Sequence, residues 1–169
     1  TPVGLGVWKP TGSFSLTSAI VYPDADVAET AQRIVNLKLS NAGQICVAPN
    51  RALVHESVYE DFLETAAATA ATFTLGSGAA DGPLMGPLMT EQARERLLAL
   101  VDEAVEQGAQ IVCGGRKPQE TARGYFVEPT ILRDVRRDMN LSCQELFGPL
   151  LPVIPFGDTD DVIAMANDT

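Results

Sequence analysis

Short apolar stretches that suit β-strands alternate with amphipathic helical patterns along most of the chain. In the first such unit, an apolar run at 19–22 precedes a helical stripe that includes Ala31, Ile34 and Val35. A second predicted strand follows at 51–55. Parallel sheets are built from units of a strand, a helix and another strand. The alternation therefore predicts an α/β fold, a layered domain with a largely parallel twisted sheet flanked by helices.

The other elements follow from the same patterns and from helix start and stop signals. Thr90 predicts the N-cap of a helix that Gly108 ends, and Ser57 predicts another N-cap. Pro129 lies inside a predicted strand at 125–132, which indicates an edge or interrupted strand. The remaining predicted elements are strands at 109–113 and 150–156, a helix at 158–167, and a loop rich in Gly and Pro at 74–89.

One cysteine, Cys46, lies in a short polar segment at 41–51, between a helical pattern and a strand pattern. Gly43 allows the backbone to turn tightly there, and Asn41 and Gln44 carry amide donors able to hold a substrate oxygen. A nucleophilic thiol needs small neighbours and nearby N–H groups that favour the thiolate. A buried structural cysteine is the alternative, and composition alone leaves both interpretations open.

The segment at 41–51 resembles the cysteine signature of the aldehyde dehydrogenase superfamily, whose core is Gly-Gln-x-Cys. The Gln-Glu-Leu-Phe-Gly-Pro motif at 144–149 is similar to a second motif of that family, and 86–88 and 124–130 are similar to family segments between the two. Two spaced motifs in the family's order are more specific than a lone glycine pattern. The resemblance runs from Ser18 to Thr169 and leaves residues 1–17 as an irregular N-terminal stretch without a match.

The resemblance implies the fold of an aldehyde dehydrogenase catalytic domain and the NAD(P)-dependent oxidation of an aldehyde to a carboxylic acid. Cys46 corresponds to the catalytic nucleophile, which forms a thiohemiacetal and then a thioester. Glu145 corresponds to the glutamate that binds the nicotinamide-side ribose of NAD or NADP, and Phe147 to the aromatic residue against the nicotinamide. Without the resemblance, an exposed acid and a core aromatic are the simpler interpretations of these two. The family also implies an aldehyde as the small-molecule partner and a homo-oligomeric parent enzyme.

Parts of the family pattern are absent from this sequence. The family's main dinucleotide-binding domain and its oxyanion-hole asparagine precede the region that is matched here. The family's general base would fall near Gly12, whereas the first glutamate is Glu29, so transfer of the acyl group to coenzyme A is an alternative to hydrolysis. A non-catalytic domain that keeps only fold and oligomer contacts is a further alternative. Ser40 stands where semialdehyde-oxidising relatives often carry arginine, which argues against an anionic semialdehyde.

The composition suits one globular domain and argues against several partners. Hydrophobic residues make up 46% of the 169 residues, which is enough for a substantial core. A net charge of −10 argues against binding to nucleic acid or to anionic membrane surfaces. The sequence shows no apolar run near the roughly 20 residues that span a bilayer, and no signal peptide is visible.

Cysteine and histidine usage indicates reduced thiols and no metal site. The cysteines, Cys46, Cys113 and Cys143, form no Cys-x-x-Cys pair, and a zinc site needs four clustered ligands that this spacing does not offer. Cys113 and Cys143 are expected to be structural. His55, the single histidine, is expected to be a surface or capping residue rather than a general base. Reduced thiols fit a cytoplasmic protein.

Overall fold

The computed structural model describes residues 4–5, 17–76, 84–119 and 124–167, with residues 4–5 described by their backbone. The sequence interpretations that concern Gly12 and most of the irregular stretch at 1–17 lie outside these residues. Within them the strands are β1 Gly4–Leu5, β2 Ser18–Val21, β3 Arg51–His55, β4 Thr74–Leu75, β5 Leu84–Met85, β6 Gln110–Cys113, β7 Thr130–Arg133 and β8 Leu150–Phe156. The helices are α1 Val27–Leu39, α2 Tyr59–Ala70, α3 Glu91–Glu106, α4 Asn140–Cys143 and α5 Thr159–Asn167.

The main sheet has six strands in the order β1-β2-β3-β8-β7-β6. Strands β2, β3, β8 and β7 run parallel to their neighbours in this series, and the two edge strands β1 and β6 pair antiparallel. The layered α/β fold with a largely parallel sheet, predicted from the alternation of patterns, is therefore confirmed. The antiparallel edges are an addition that periodicity alone does not reveal.

Helix α1 connects the parallel strands β2 and β3, as the sequence pattern predicts. Asp26 caps it, because its side chain accepts a hydrogen bond from the Glu29 N–H at 3.0 Å. The predicted apolar stripe faces the core, where Ala31, Ile34 and Val35 are buried. The stripe also contains one charged residue, Lys38, which is described below with the site.

The predicted strand at 125–132 begins later than expected and is not at an edge. Strand β7 starts at Thr130, directly after Pro129, and lies between β8 and β6. Because Pro129 has no N–H to donate, the ladder begins one residue after it, and the proline says nothing about the strand's neighbours. The predicted strand at 150–156 is confirmed as the interior strand β8.

Two further local predictions need correction. A short 3₁₀ turn at Glu56–Val58 precedes α2, and His55 rather than Ser57 caps that turn, because its Nδ1 accepts the Ser57 N–H at 3.2 Å. The capping role expected for His55 is thus confirmed. The segment at 74–89, predicted as loop, contains the short parallel strands β4 and β5.

Three chain segments enter neighbouring parallel strands from the same side of the sheet. Thr17 leads into β2, the cysteine segment leads into β3, and the segment that contains Glu145 leads into β8. Because the amino ends of adjacent parallel strands meet at one edge, these segments converge there.

Arg51, the first residue of β3, links the elements at this edge of the sheet through buried hydrogen bonds. Its buried guanidinium donates to the Ser18 side chain at 2.9 Å and to the carbonyls of Ser142 and Met165 at 3.0 and 2.9 Å. One cation therefore ties the start of β2 to helices α4 and α5, and it satisfies buried polar groups that would otherwise be costly.

None of the described helices is long and apolar enough to cross a membrane.

Candidate functional site

A small cavity opens at the edge where the three segments converge. Its volume is about 10 Å³, which is close to the space that one water molecule needs. The three residues singled out by sequence, Cys46, Glu145 and Phe147, all line it. The full lining is Thr17, Lys38, Gly43, Ile45, Cys46, Ala48, Asn50, Glu145 and Phe147. The fold thus brings together residues that are far apart in the sequence.

The chain leaves α1 through a left-handed turn before it reaches Cys46. Asn41, Ala42 and Gly43 have φ angles of 50°, 55° and 72°. Glycine adopts this conformation freely and asparagine tolerates it, but alanine loses roughly 1–2 kcal/mol there. The turn carries Cys46 to an exposed position at the cavity, so Cys46 is not a buried structural cysteine.

The amide side chains of this turn serve the backbone rather than a ligand. Asn41 donates to the Gln44 carbonyl at 3.2 Å, and Gln44 donates to the carbonyls of Asn41 and Pro87 at 3.2 and 3.3 Å. The Gln44 side chain also accepts the Met89 N–H at 2.9 Å. In this arrangement Asn41 and Gln44 stabilise the turn, and Gln44 anchors it to the segment after β5.

Two glycines allow the cysteine loop and the Glu145 loop to touch. A Cβ atom on Gly43 would lie 2.1 Å from the Gly148 carbonyl oxygen, and one on Gly148 would lie 2.1 Å from Cδ1 of Leu97. A side chain at position 43 would collide with that backbone carbonyl, whereas one at position 148 would require the end of the Leu97 side chain to move. The close approach of Gly43 to Gly148 thus brings the backbones of the two loops together beside the cavity.

Asn50 holds the Glu145 loop on both sides of that residue. Its side-chain N–H donates to the Gln144 carbonyl at 2.9 Å, and its side-chain oxygen accepts the Leu146 N–H at 2.8 Å. Asn50 is buried, so these bonds are made away from water. Arg96 of α3 adds bonds at 3.0 Å to the Gln144 side chain and to the Glu145 carbonyl. The backbone of Glu145 is thereby fixed beside the cavity.

Phe147 is exposed beside this fixed segment. Its side chain is 40% exposed and its φ is +38°, a conformation that L-residues seldom adopt. Strain of this kind costs on the order of 1–3 kcal/mol and is typical of functional loops. The ring is therefore no core aromatic, and it offers a flat apolar face at the cavity.

Lys38 is the cation of the cavity, and it is almost completely buried, with 1% of its surface exposed. Burial lowers the pKa of Lys38 to about 7, and the nearby Glu145 carboxylate opposes that shift. Neither Lys38 nor Asn50 was predicted from the sequence. For Lys38 a signal was present, because it continues the buried stripe of α1 at helical spacing after Ile34 and Val35.

Replacing Asn50 with aspartate is expected to lower the free energy of unfolding by about 2–3 kcal/mol. The change removes the donor to the Gln144 carbonyl and places a carboxylate oxygen against it, while the acceptor for Leu146 remains. Urea denaturation measures the effect. The matched control is Asn36→Asp on the exposed face of α1, expected within about 0.5 kcal/mol of wild type. Equal stability of the two variants would contradict the role of Asn50 in holding the Glu145 loop.

Comparisons with known proteins agree with this architecture. The profile described as "Aldehyde dehydrogenase family" matches residues 15–169. The chain is 39% identical over 153 residues to the mitochondrial aldehyde dehydrogenase of Leishmania tarentolae, covering 90% of this chain and 30% of the relative. It is 40% identical over 150 residues to the succinate-semialdehyde dehydrogenase [NADP(+)] GabD of Escherichia coli (strain K12), covering 89% of this chain and 31% of the relative.

A solved structure shows the same fold. The Mycobacterium tuberculosis aldehyde dehydrogenase, crystallised as a complex with NAD+, superposes with a TM-score of 0.85 at 34% identity. The match covers 89% of this chain and 31% of that one. The chain therefore spans about 30% of the length of the curated relatives that it matches.

Proposed function

This chain belongs to the aldehyde dehydrogenase family, and on that premise we propose that it supplies the nucleophile-bearing part of an NAD(P)-dependent enzyme that oxidises an aldehyde to a carboxylic acid. The observation that carries the proposal is the placement of Cys46, Glu145 and Phe147 around one cavity. Because the chain spans about 30% of its relatives' length, the activity is proposed for the whole protein to which this segment corresponds.

Cys46 is the nucleophile in this proposal. Its thiolate attacks the carbonyl carbon of the aldehyde to form a thiohemiacetal, whose oxyanion accepts a hydrogen bond from the Cys46 backbone N–H. Loss of hydride converts the thiohemiacetal to a thioester, and attack by water on the thioester releases the acid and regenerates the thiol. The exposure of Cys46 on a turn held by its neighbours gives a carbonyl compound access to the sulfur.

The residues beside Cys46 fit a nicotinamide cofactor. Bound NAD(P)+ supplies the hydride acceptor. Glu145, with its backbone fixed by Asn50 and Arg96, offers a carboxylate that accepts hydrogen bonds from ribose hydroxyls. Phe147 offers an exposed aromatic face against which a planar ring packs. The proposal assigns binding and orientation to these two residues.

Aldehyde-dependent formation of reduced cofactor tests the proposal, with absorbance as the readout and stoichiometric acid as the product. Cys46→Ser is expected to abolish the reaction, because a neutral hydroxyl is a far weaker nucleophile than a thiolate. Cys143→Ser, which changes another exposed thiol, is the matched control and should keep the wild-type rate. Aldehyde oxidation by Cys46→Ser would contradict the assignment of Cys46 as the nucleophile.

Glu145→Gln is expected to raise the KM for the cofactor about tenfold, since a hydrogen bond to a charged acceptor is worth about 1.5 kcal/mol or more. Alkylation of Cys46, measured at a pH above the pKa of Lys38, should change much less. Steady-state kinetics and thiol alkylation provide the two readouts, and Glu106→Gln on the exposed surface of α3 is the control. Equal loss of cofactor use and thiol reactivity would argue against the role assigned to Glu145.

A further inference from the structure

Lys38 is a charged residue in a position that the fold would fill better with an apolar one. It lies in the buried stripe of α1, and its side chain reaches the cavity. Among the described residues its ammonium makes no hydrogen bond, and the charged group that acts on it is Glu145. Burial of a cation costs several kcal/mol unless close partners compensate. Such a residue is a candidate for a functional role.

Within the described part of the chain, few titratable groups face Lys38. Cys46, from the cysteine loop, and Glu145, from the loop before β8, share its cavity. On α1 itself, Glu29 and Arg33 pair with each other at the surface. The acidic residues of α2, which packs against α1, are solvent-exposed; they are Glu60, Asp61 and Glu64.

The proposed reaction requires a group that takes the proton from the Cys46 thiol. No glutamate occurs in the first 28 residues, where the family's base would fall. His55 does not line the cavity, and its ring contacts Ser57 and Phe156 instead. Glu145 is assigned to the cofactor. Among the described residues that line the cavity, Lys38 is the remaining group able to accept a proton.

We propose that Lys38 is the proton acceptor for the Cys46 thiol, an inference that rests on the proposed function. The S–H bond of Cys46 breaks, its proton passes to the Nζ lone pair of Lys38, and the electron pair stays on sulfur for attack on the carbonyl carbon. The products of this transfer are a thiolate and an ammonium, so charge and protons balance. The cavity volume of about 10 Å³ admits one water molecule as a relay.

The pKa of Lys38 is shifted in the direction that a proton acceptor needs. A lysine in water, with a pKa of about 10.4, is protonated at neutral pH and accepts nothing. Burial lowers the pKa of Lys38 to about 7, so the neutral amine exists from near neutral pH upwards. Between that value and the ordinary lysine pKa the unfolded chain binds more protons than the folded one. The buried ammonium therefore destabilises the fold on the acid side of this range.

Alkylation of the folded chain by iodoacetamide, followed by peptide mapping, measures Cys46 against Cys143 over a range of pH. The Cys46 rate in the wild type should rise through a midpoint near 7, where Lys38 loses its proton. In Lys38→Met the midpoint near 7 should be lost, and the rate at neutral pH should fall about tenfold. Lys38→Arg keeps the charge but accepts no proton, so it should be as slow as Lys38→Met.

The outcomes separate this proposal from the proposed function. The melting temperature of Lys38→Met should equal or exceed that of the wild type. Unfolding would then not explain slower alkylation of Cys46. Lys38→Gln serves as a second neutral variant. If either Lys38→Met or Lys38→Arg keeps the wild-type alkylation rate and midpoint, Lys38 is not the proton acceptor. That result leaves the proposed function unaffected. A Lys38-dependent profile without aldehyde-dependent turnover supports that role and contradicts the proposed function.

Discussion

Cys46→Ala should reduce acyl transfer from p-nitrophenyl acetate at least about a thousandfold while leaving the free energy of unfolding within about 0.5 kcal/mol of wild type. The reaction needs no cofactor, and it uses the same attack of sulfur on a carbonyl carbon as the proposed oxidation. The thiol is exposed on a turn, so its removal leaves no cavity in the core. Release of p-nitrophenolate and urea denaturation give the two readouts.

Cys143→Ala serves as the matched control for this prediction, because Cys143 is the other exposed thiol. Its acyl-transfer rate should match the wild type. A loss of stability above about 2 kcal/mol in Cys46→Ala would instead identify Cys46 as a structural thiol. Acyl transfer that persists in that variant would place the nucleophile elsewhere.

Gly43→Ala should lower the free energy of unfolding by more than about 2 kcal/mol and remove the selective reactivity of Cys46. The added Cβ would lie 2.1 Å from the Gly148 carbonyl oxygen, and the residue has a φ of +72°. Both the backbone conformation and the contact between the two loops are therefore lost. Urea denaturation measures the first effect, and alkylation with peptide mapping measures the second.

Gly86→Ala is the matched control for the glycine prediction. A Cβ at Gly86 would meet nothing within 4 Å, and its φ is not in the left-handed region. This variant should stay within about 0.5 kcal/mol of wild type and keep the reactivity of Cys46. Similar behaviour of the two glycine variants would show that the contact between the loops is not required.

The sequence was sufficient for the layers of this fold, because helix and strand periodicities differ and each element is long enough to show its own. Helix α1, helix α3 with its Thr90 cap and strand β8 agree with the predictions. Two of the errors arose because the local pattern around one residue is compatible with more than one structure. Pro129 ends a segment before a strand rather than marking an edge, and Ser57 sits inside a 3₁₀ turn that His55 caps.

The candidate site was only partly predictable for a different reason. Cys46, Glu145 and Phe147 were singled out by resemblance to family motifs, and the fold places them around one cavity. The importance of Asn50 depends on contacts across the sheet edge that no local pattern contains, whereas the helical stripe of α1 indicates the burial of Lys38 but not its neighbours at the cavity. Asn50 bonds to residues more than 90 positions away, and Lys38 acquires its lowered pKa only when the converging segments exclude water.

The most direct test of the central claim is to expose the wild-type chain to p-nitrophenyl acetate and map the acetyl group among Cys46, Cys113 and Cys143. Because Cys46 and Cys143 are both exposed, accessibility alone predicts similar labelling of the two. A preorganised nucleophile at the cavity predicts that the acetyl group appears on Cys46 first and by a wide margin. Acetylation of Cys46 no faster than that of Cys143 would contradict the account.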